Sequence, residues 1–316
     1  MMKWIIQLVV VLFCITGHTT APVKSIGIAV DVNDVSEIYP KQELTDMELT
    51  INLLWQGDER PDKTRYYQGE QVQKALLNTW WPYYQIVHSR GVIDSKFKTM
   101  SVSPDGLVRY VERLRVKVET AMDMHSFPFD SQVLKILIKP FGQSGYRTQY
   151  YSLNDKIKIN TNAHLDEWHL VGTKAQILSN HTTPTYMVSL DYQRQSGFYL
   201  YKILIPLLVI VGIANTILWL PSQPAINRLA VVMTAMLTVV AFQWVVGQDM
   251  PVVSYITFLQ AVLLFAFLLI GSKAVLIVVG DVQDGKRRQH IMYHARWVYP
   301  LILVLGLGLI TVIWFN

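Results

Sequence analysis

Residues 225–248 read AINRLAVVMTAMLTVVAFQWVVGQ and lie between Pro224 and Pro251. The segment is apolar and long enough to cross a bilayer, whose hydrocarbon core takes about 20 helical residues. At ~100° per residue, Asn227, Thr234, Thr238 and Gln248 fall within about 80° of each other, and Ala230, Ala241 and Val245 share that sector. Unpaired polar groups are costly against lipid, so a stripe of small and polar side chains suits a helix that lines water. Packing of helix on helix is the competing use of such a stripe. One stripe cannot enclose a pore, so the segment predicts an assembly of several copies of the chain.

The rest of the 316 residues divides between two solvents. Apolar residues crowd into the C-terminal third, and what precedes them has a soluble composition. Four apolar stretches, 198–220, 225–247, 252–272 and 297–315, are each long enough to span. The connection between the third and fourth carries Lys286, Arg287, Arg288 and Arg296, with Lys273 at its membrane edge. The connection between the second and third carries Asp249 and no base. Basic connections stay in the cytoplasm, which puts the N-terminal domain and the C-terminus on the outer side. Trp219, Trp244, Trp297 and Trp314 stand near span ends, as interfacial anchors do. Met1-Met2-Lys3, the apolar run from Trp4 to Ile15 and the small residues up to Ala21 have the form of a secretory signal peptide, so residues 1–21 are expected to be removed. That agrees with the topology from the charges. The single cysteine, Cys14, lies inside this leader, so disulfides, thiolate zinc sites and cysteine nucleophiles are not expected. The net charge of +5 sits with loop bases that set topology and does not point to nucleic acid.

From residue 22 to 197 short alternating runs, among them Glu48 to Trp55, Leu107 to Glu119, Val133 to Lys139 and Tyr186 to Tyr192, are separated by turn residues. Ser103-Pro104-Asp105-Gly106 reads as a hairpin turn between two of them. A helical pattern is confined to Gly69 to Leu77. Many short strands with regular turns predict a β-sandwich. The fold class is an all-β outer sandwich (22–197) followed by an all-α bundle of four spans (198–316). No Gly-rich phosphate loop, Gly-x-Ser-x-Gly or His-Glu-x-x-His occurs, so neither enzyme chemistry nor a cofactor is expected. His164, Asp166, Glu167 and His169 are metal-capable, but such groups are usually solvated loop residues, and no metal site is expected.

Several short motifs, taken in order, resemble one family. Phe127-Pro128-Phe129-Asp130-Ser131-Gln132 is similar to the Phe/Tyr-Pro-Phe-Asp core of the loop that names the Cys-loop receptors. Trp80-Trp81-Pro82 resembles their Trp-x-Pro, and Trp55-Gln56-Gly57-Asp58 their Trp-x-Asp with one residue extra. Arg194 precedes Pro206 by twelve residues, like the arginine before the first span and the proline within it. Leu237-Thr238-Val239-Val240-Ala241-Phe242 looks like the prokaryotic pore helix, and Met250-Pro251 with Tyr255 like the connection after it. The loop cysteines and the large cytoplasmic domain of animal receptors are absent, with only about twenty polar residues between the third and fourth spans. The chain thus resembles a prokaryotic pentameric ligand-gated ion channel.

The resemblance implies a homopentamer of five identical subunits in a bacterial inner membrane, with the N-terminal domain and C-terminus in the periplasm. It implies that Ala230, Thr234, Leu237, Ala241, Val245 and Gln248 face the channel axis, with Trp244 near it and Leu237 as an apolar constriction. Asp249 would form a ring of negative charge that favours monovalent cations, and Arg228 is the alternative charge for selectivity. Asp130 and Arg194, with Phe127, Pro128 and Pro251, are expected at the junction between domains, where they couple agonist binding to the pore. The agonist, a small molecule such as an amine, or protons, is expected near Tyr83, Tyr84, Phe141, His181 and Tyr186 between neighbouring sandwiches. The runner-up reading is a membrane-tethered binding receptor without conductance.

Overall fold

The computed structural model describes residues 22–77, 79–141, 147–154, 165–179, 183–220, 223–250, 252–283 and 285–315. The expected leader, 1–21, lies outside them. Ten strands come first: β1 Val23–Tyr39, β2 Leu44–Gln56, β3 Arg65–Gln68, β4 Tyr84–Val87, β5 Ser89–Val102, β6 Leu107–Glu119, β7 Ser131–Pro140, β8 Arg147–Ser152, β9 Trp168–Ser179 and β10 Pro184–Arg194. One sheet has the order β3-β5-β6-β2-β1-β8 and the other β4-β7-β10-β9. The pairs are antiparallel except β1 with β8. A short helix, α1 Glu70–Leu76, lies between β3 and β4 and buries Val72 and Leu76.

Side-chain alternation decides which face of each strand is buried. In β6, Val108, Tyr110, Leu114, Val116 and Val118 point inward, and in β7 Leu134, Ile136 and Ile138 meet them from the other sheet. The β5–β6 hairpin turns at Ser103–Gly106, where Gly106 N donates to Ser103 O at 2.8 Å. Gly106 has φ +78°, and an added Cβ would meet the Glu59 carbonyl at 2.8 Å, so the turn requires glycine there.

Four membrane-length helices follow: α2 Gly197–Trp219, α3 Ala225–Asp249, α4 Phe258–Val282 and α5 Gly285–Phe315. Helix α2 has a π turn over Leu200–Leu204 just before Pro206. Proline has no N–H and its ring crowds the carbonyl four residues back, so the ladder is reset there. Two helices differ in extent from the apolar stretches. Helix α4 starts at Phe258 rather than Val252, because Thr257 and Gln260 form a capping box that fixes its first turn. It runs to Val282, past Lys273, and α5 begins at Gly285, so most of the expected polar connection is helical. Hydropathy marks the bilayer, not the helix: Met292 and Ala295 in the polar half of α5 are buried against the bundle. Further along, Gly306 accepts the Phe265 ring of α4 so closely that any Cβ would overlap it.

Leu134 is fully buried at the centre of the sandwich. Leu134→Ala should cost about 2–5 kcal/mol, whereas Val133→Ala on the outer face of the same strand should stay within ~0.5 kcal/mol. Thermal midpoints of the detergent-solubilised protein check this, and equal losses for the two would contradict the assigned faces.

Candidate functional site

The register of β7 on β10 sets Gln193 opposite Ser131. The next step brings Arg194 beside Asp130, and Arg194 N donates to Asp130 O at 3.1 Å. Arg194 Nε then reaches Asp130 Oδ1 at 2.7 Å and Nη2 reaches Oδ2 at 3.2 Å, a two-point pair. The side chains are 1% and 2% exposed. Gln132 Nε2 donates to the same carboxylate at 2.7 Å, and Glu167 lies 3.4 Å from Arg194 Nη1. The guanidinium lies over Trp168 at 4.1 Å and Phe127 at 5.0 Å. A buried pair whose carboxylate accepts three hydrogen bonds holds geometry, and a half-removed one is costly.

The loop between β6 and β7 carries this carboxylate and also caps α4. The first N–H groups of a helix have no partner in the helix itself. Here Phe258 N donates to His125 O at 2.9 Å and Leu259 N to Phe127 O at 3.2 Å. Trp314 Nε1 of α5 donates to the same His125 carbonyl at 3.1 Å. Tyr255 Oη accepts from Met124 N at 2.9 Å. Phe129 packs on Phe258 and Phe315, Phe127 packs edge-on against Tyr199, and Pro128 is buried between them. Pro251 lies outside the described residues. A cleft of about 580 Å³ runs beside Arg194, from the end of β1 and the Pro40–Gln42 turn to Gln248 at the end of α3. The sandwich therefore touches the first turns of α2 and α4 and the last turn of α5, and α3 ends at the same cleft.

On α3 the two faces separate cleanly. Ala230, Thr234, Leu237, Ala241, Trp244, Val245 and Gln248 are all exposed and span about 100° at the helical repeat. Leu237 is 71% and Trp244 72% exposed. Val232, Ala235, Val239 and Val246, on the opposite face, are buried against the bundle. Thr234 Oγ1 donates to Ala230 O and Thr238 Oγ1 to Thr234 O, each at 2.9 Å. Each hydroxyl spends its only hydrogen on its own helix, so its outward side offers lone pairs. Arg228 departs from the sequence expectation. It belongs to the buried face, 1% exposed, with Nη2 3.7 Å from Asp281 of α4, which also pairs with Arg288 at 3.1 Å. It is not presented with the stripe because its angular position is opposite Ala230. The side chain of Asp249 lies outside the described residues.

The aromatic residues also divide. Tyr83 and Phe141 are exposed and adjacent, with Phe141 N donating to Tyr83 O at 2.9 Å and the Tyr83 ring 4.1 Å from that of Trp81, tilted by 43°. Tyr84 and Tyr186 turn inward instead. Tyr186 is in the core because its strand position is in phase with Val188 and Leu190. Tyr84 donates to Glu112 Oε2 at 2.5 Å. His181 and His164 lie outside the described residues, and among those described no group of three or more metal-capable side chains occurs. Glu112 was not singled out by the sequence, although a carboxylate in phase with the apolar residues of β6 was the available signal. Tyr110 donates to it at 2.7 Å and Ser95 at 2.6 Å, and Lys98 Nζ is 3.4 Å away. Burial pushes its carboxyl up, but the Ser95, Tyr84 and Tyr110 hydroxyls and the Lys98 charge hold it below the usual range. Glu112 is therefore an ionised anchor beneath a cleft of about 190 Å³ lined by Trp81, Tyr83, Lys98 and Tyr110.

Asp130→Ala leaves the Arg194 guanidinium buried and unpaired, which should cost about 3–5 kcal/mol. In a double-mutant cycle read by thermal stability, Asp130→Ala with Arg194→Ala should lose ~0.5–3 kcal/mol less than the two single losses added. Strict additivity would contradict the pair.

Known proteins resemble the chain over both parts. A proton-gated ion channel of Gloeobacter violaceus is 26% identical over 247 residues, 75% of this chain and 68% of its own length. The human gamma-aminobutyric acid receptor subunit rho-2 is 23% identical over 289 residues, 85% of this chain and 61% of the receptor subunit. A pH-sensitive chloride channel 2 of Anopheles gambiae is 24% identical over 62% of this chain and 34% of that protein. The chain thus spans less than two thirds of the human and mosquito proteins. The family model of the neurotransmitter-gated ion-channel ligand binding domain matches residues 17–196. That match runs through more than half of the chain, which therefore belongs to the neurotransmitter-gated ion-channel family of the Cys-loop superfamily, as a multi-pass membrane protein and not an enzyme.

Proposed function

We propose that five copies of the chain form an agonist-gated, cation-conducting channel in a bacterial inner membrane. The sandwich (22–197) and the C-terminus face the periplasm, and the four-span bundle (198–316) crosses the bilayer. The observation that carries this reading is the division of α3 into a buried apolar face and an exposed face on which Ala230, Thr234, Ala241 and Gln248 alternate with Leu237, Trp244 and Val245. Five such faces around an axis give a wet pore, and a ring of Leu237 gives an apolar constriction that closes by dewetting. The Asp130–Arg194 pair and the capped start of α4 support transmission from the sandwich to that pore. An agonist site between neighbouring sandwiches at Tyr83 and Phe141 suits an ammonium, whose attraction to each ring face is ~0.5–2 kcal/mol. Protons are the other candidate agonist.

Cation preference rests on what charge α3 offers. Arg228 is the one charged residue in 225–248, and it is turned away from the stripe. What remains is Asp249 at the outer end and threonine oxygens whose lone pairs face out. Both favour cations, although one relative is named a chloride channel.

Recordings from the reconstituted protein test the reading. Current that reverses near the sodium limit in a sodium chloride gradient supports it. Reversal near the chloride limit overturns the selectivity, and absence of any current favours the non-conducting receptor. Leu237→Ser should hydrate the constriction, and a ~1.4 kcal/mol bias toward the open state lowers the half-maximal agonist concentration about tenfold or produces leak. Asp249→Asn should lower cation conductance mainly at low salt, because charges at the mouth are screened over ~10 Å at 0.1 M. A salt-independent effect would contradict a role for Asp249 in concentrating ions.

A further inference from the structure

The polar first turns of α5 carry two histidines that the channel reading does not use. His290 and His294 are four residues apart, so they share one helix face, and both are exposed. Their Nε2 atoms are 3.2 Å apart, with ring centroids at 4.4 Å and planes 77° apart. Tyr293 sits edge-on against His294 at 5.7 Å and limits its swing. With metal–nitrogen bonds of ~2.0–2.1 Å, two ligands of one ion stand about 3.3–3.4 Å apart in tetrahedral and about 2.9 Å apart in octahedral geometry. The observed separation falls between these values. An ion could replace the one proton shared by the two rings with no movement of the main chain.

We infer that His290 and His294 form a two-point site for a borderline divalent transition-metal ion of the zinc, nickel or copper class. Imidazole nitrogen suits these ions and not magnesium or calcium. Water would complete the coordination, because no third metal-capable side chain joins the pair among the described residues. The site is therefore open and exchangeable rather than structural. Lys286 and Arg287 one turn earlier and Arg296 beyond repel a dication, so affinity should rise as salt screens them. Occupancy would also brace the turn that carries Arg288. Its partner Asp281 is the carboxylate that faces Arg228 of the pore helix, which gives the ion a route to the inner end of α3.

Calorimetric titration of the full chain in detergent with zinc chloride tests the site and needs no channel activity, so a failed channel reading leaves the result interpretable. Saturable binding of one ion per chain is expected. Loss of an outer-shell partner alone weakens metal sites 10–100-fold, so His290→Ala and His294→Ala should each weaken binding at least ~10-fold. The double variant, left with neither imidazole, should bind more weakly than either single one, His290→Cys should retain binding through its thiolate, and His169→Ala should bind like the native chain. Zinc should also slow amide exchange across residues 286–294 in the native chain and not in His294→Ala. No saturable binding to the native chain, or unchanged affinity in both alanine variants, overturns the inference.

Discussion

The whole arrangement depends on a guanidinium and a carboxylate that have left water together at the seam between sheet and helices. Removing two charges from solvent is favourable only when their remaining hydrogen-bonding capacity is met. Here that is done from several sides. Gln132 takes a second lone pair of Asp130, Glu167 approaches Arg194, and Trp168 and Phe127 cover the guanidinium faces. The pair joins the end of β10, which leads directly into α2, to the loop that caps α4. In the proposed channel, a displacement that moves β10 against β7 would reach two helices through these desolvated contacts rather than through long surface chains.

The membrane half follows a different economy. Helix α3 buries valine and alanine on one side and on the other leaves Thr234 and Gln248 among exposed leucine and tryptophan, polar groups that a lone anchor in lipid would not carry there. No residue in the apolar stretch of α5 is fully buried within the chain, and only one side of it packs on the bundle, which suits a helix facing lipid. Charge is kept out of the stripe: Arg228 turns to Asp281, and Asp281 is shared with Arg288. The N-terminal end of α3 is therefore tied through Asp281 of α4 to the start of α5.

Much of this was legible in the sequence because periodicity and charge bias are local signals. The alternation of residues 107–119 gave β6 to its ends, and the apolar lengths gave four helices. Helix extents were less legible. Hydropathy stops where the bilayer stops, while α5 continues through Lys286 to Arg296 on helix propensity and on the burial of Met292 and Ala295. Residue roles that depend on direction were the hardest. Tyr84 and Tyr83 are neighbours, yet one anchors on buried Glu112 and the other is exposed, and strand phase decides between them. Arg228 was read as a charge at the pore mouth because its neighbours in sequence are; one hundred degrees per residue turns it away.

The central claim is that water and ions run along one face of α3. The single native cysteine, Cys14, lies in the expected leader, so the chain is suited to cysteine scanning without background. Single cysteines placed in turn at positions 226–248 would be treated with a charged, membrane-impermeant thiol reagent while agonist-evoked current is recorded. The account predicts irreversible change at Ala230→Cys, Thr234→Cys, Leu237→Cys and Ala241→Cys, and none at Val232→Cys, Ala235→Cys and Val239→Cys. Reaction at the second group, or an equal response around the helix, would contradict it.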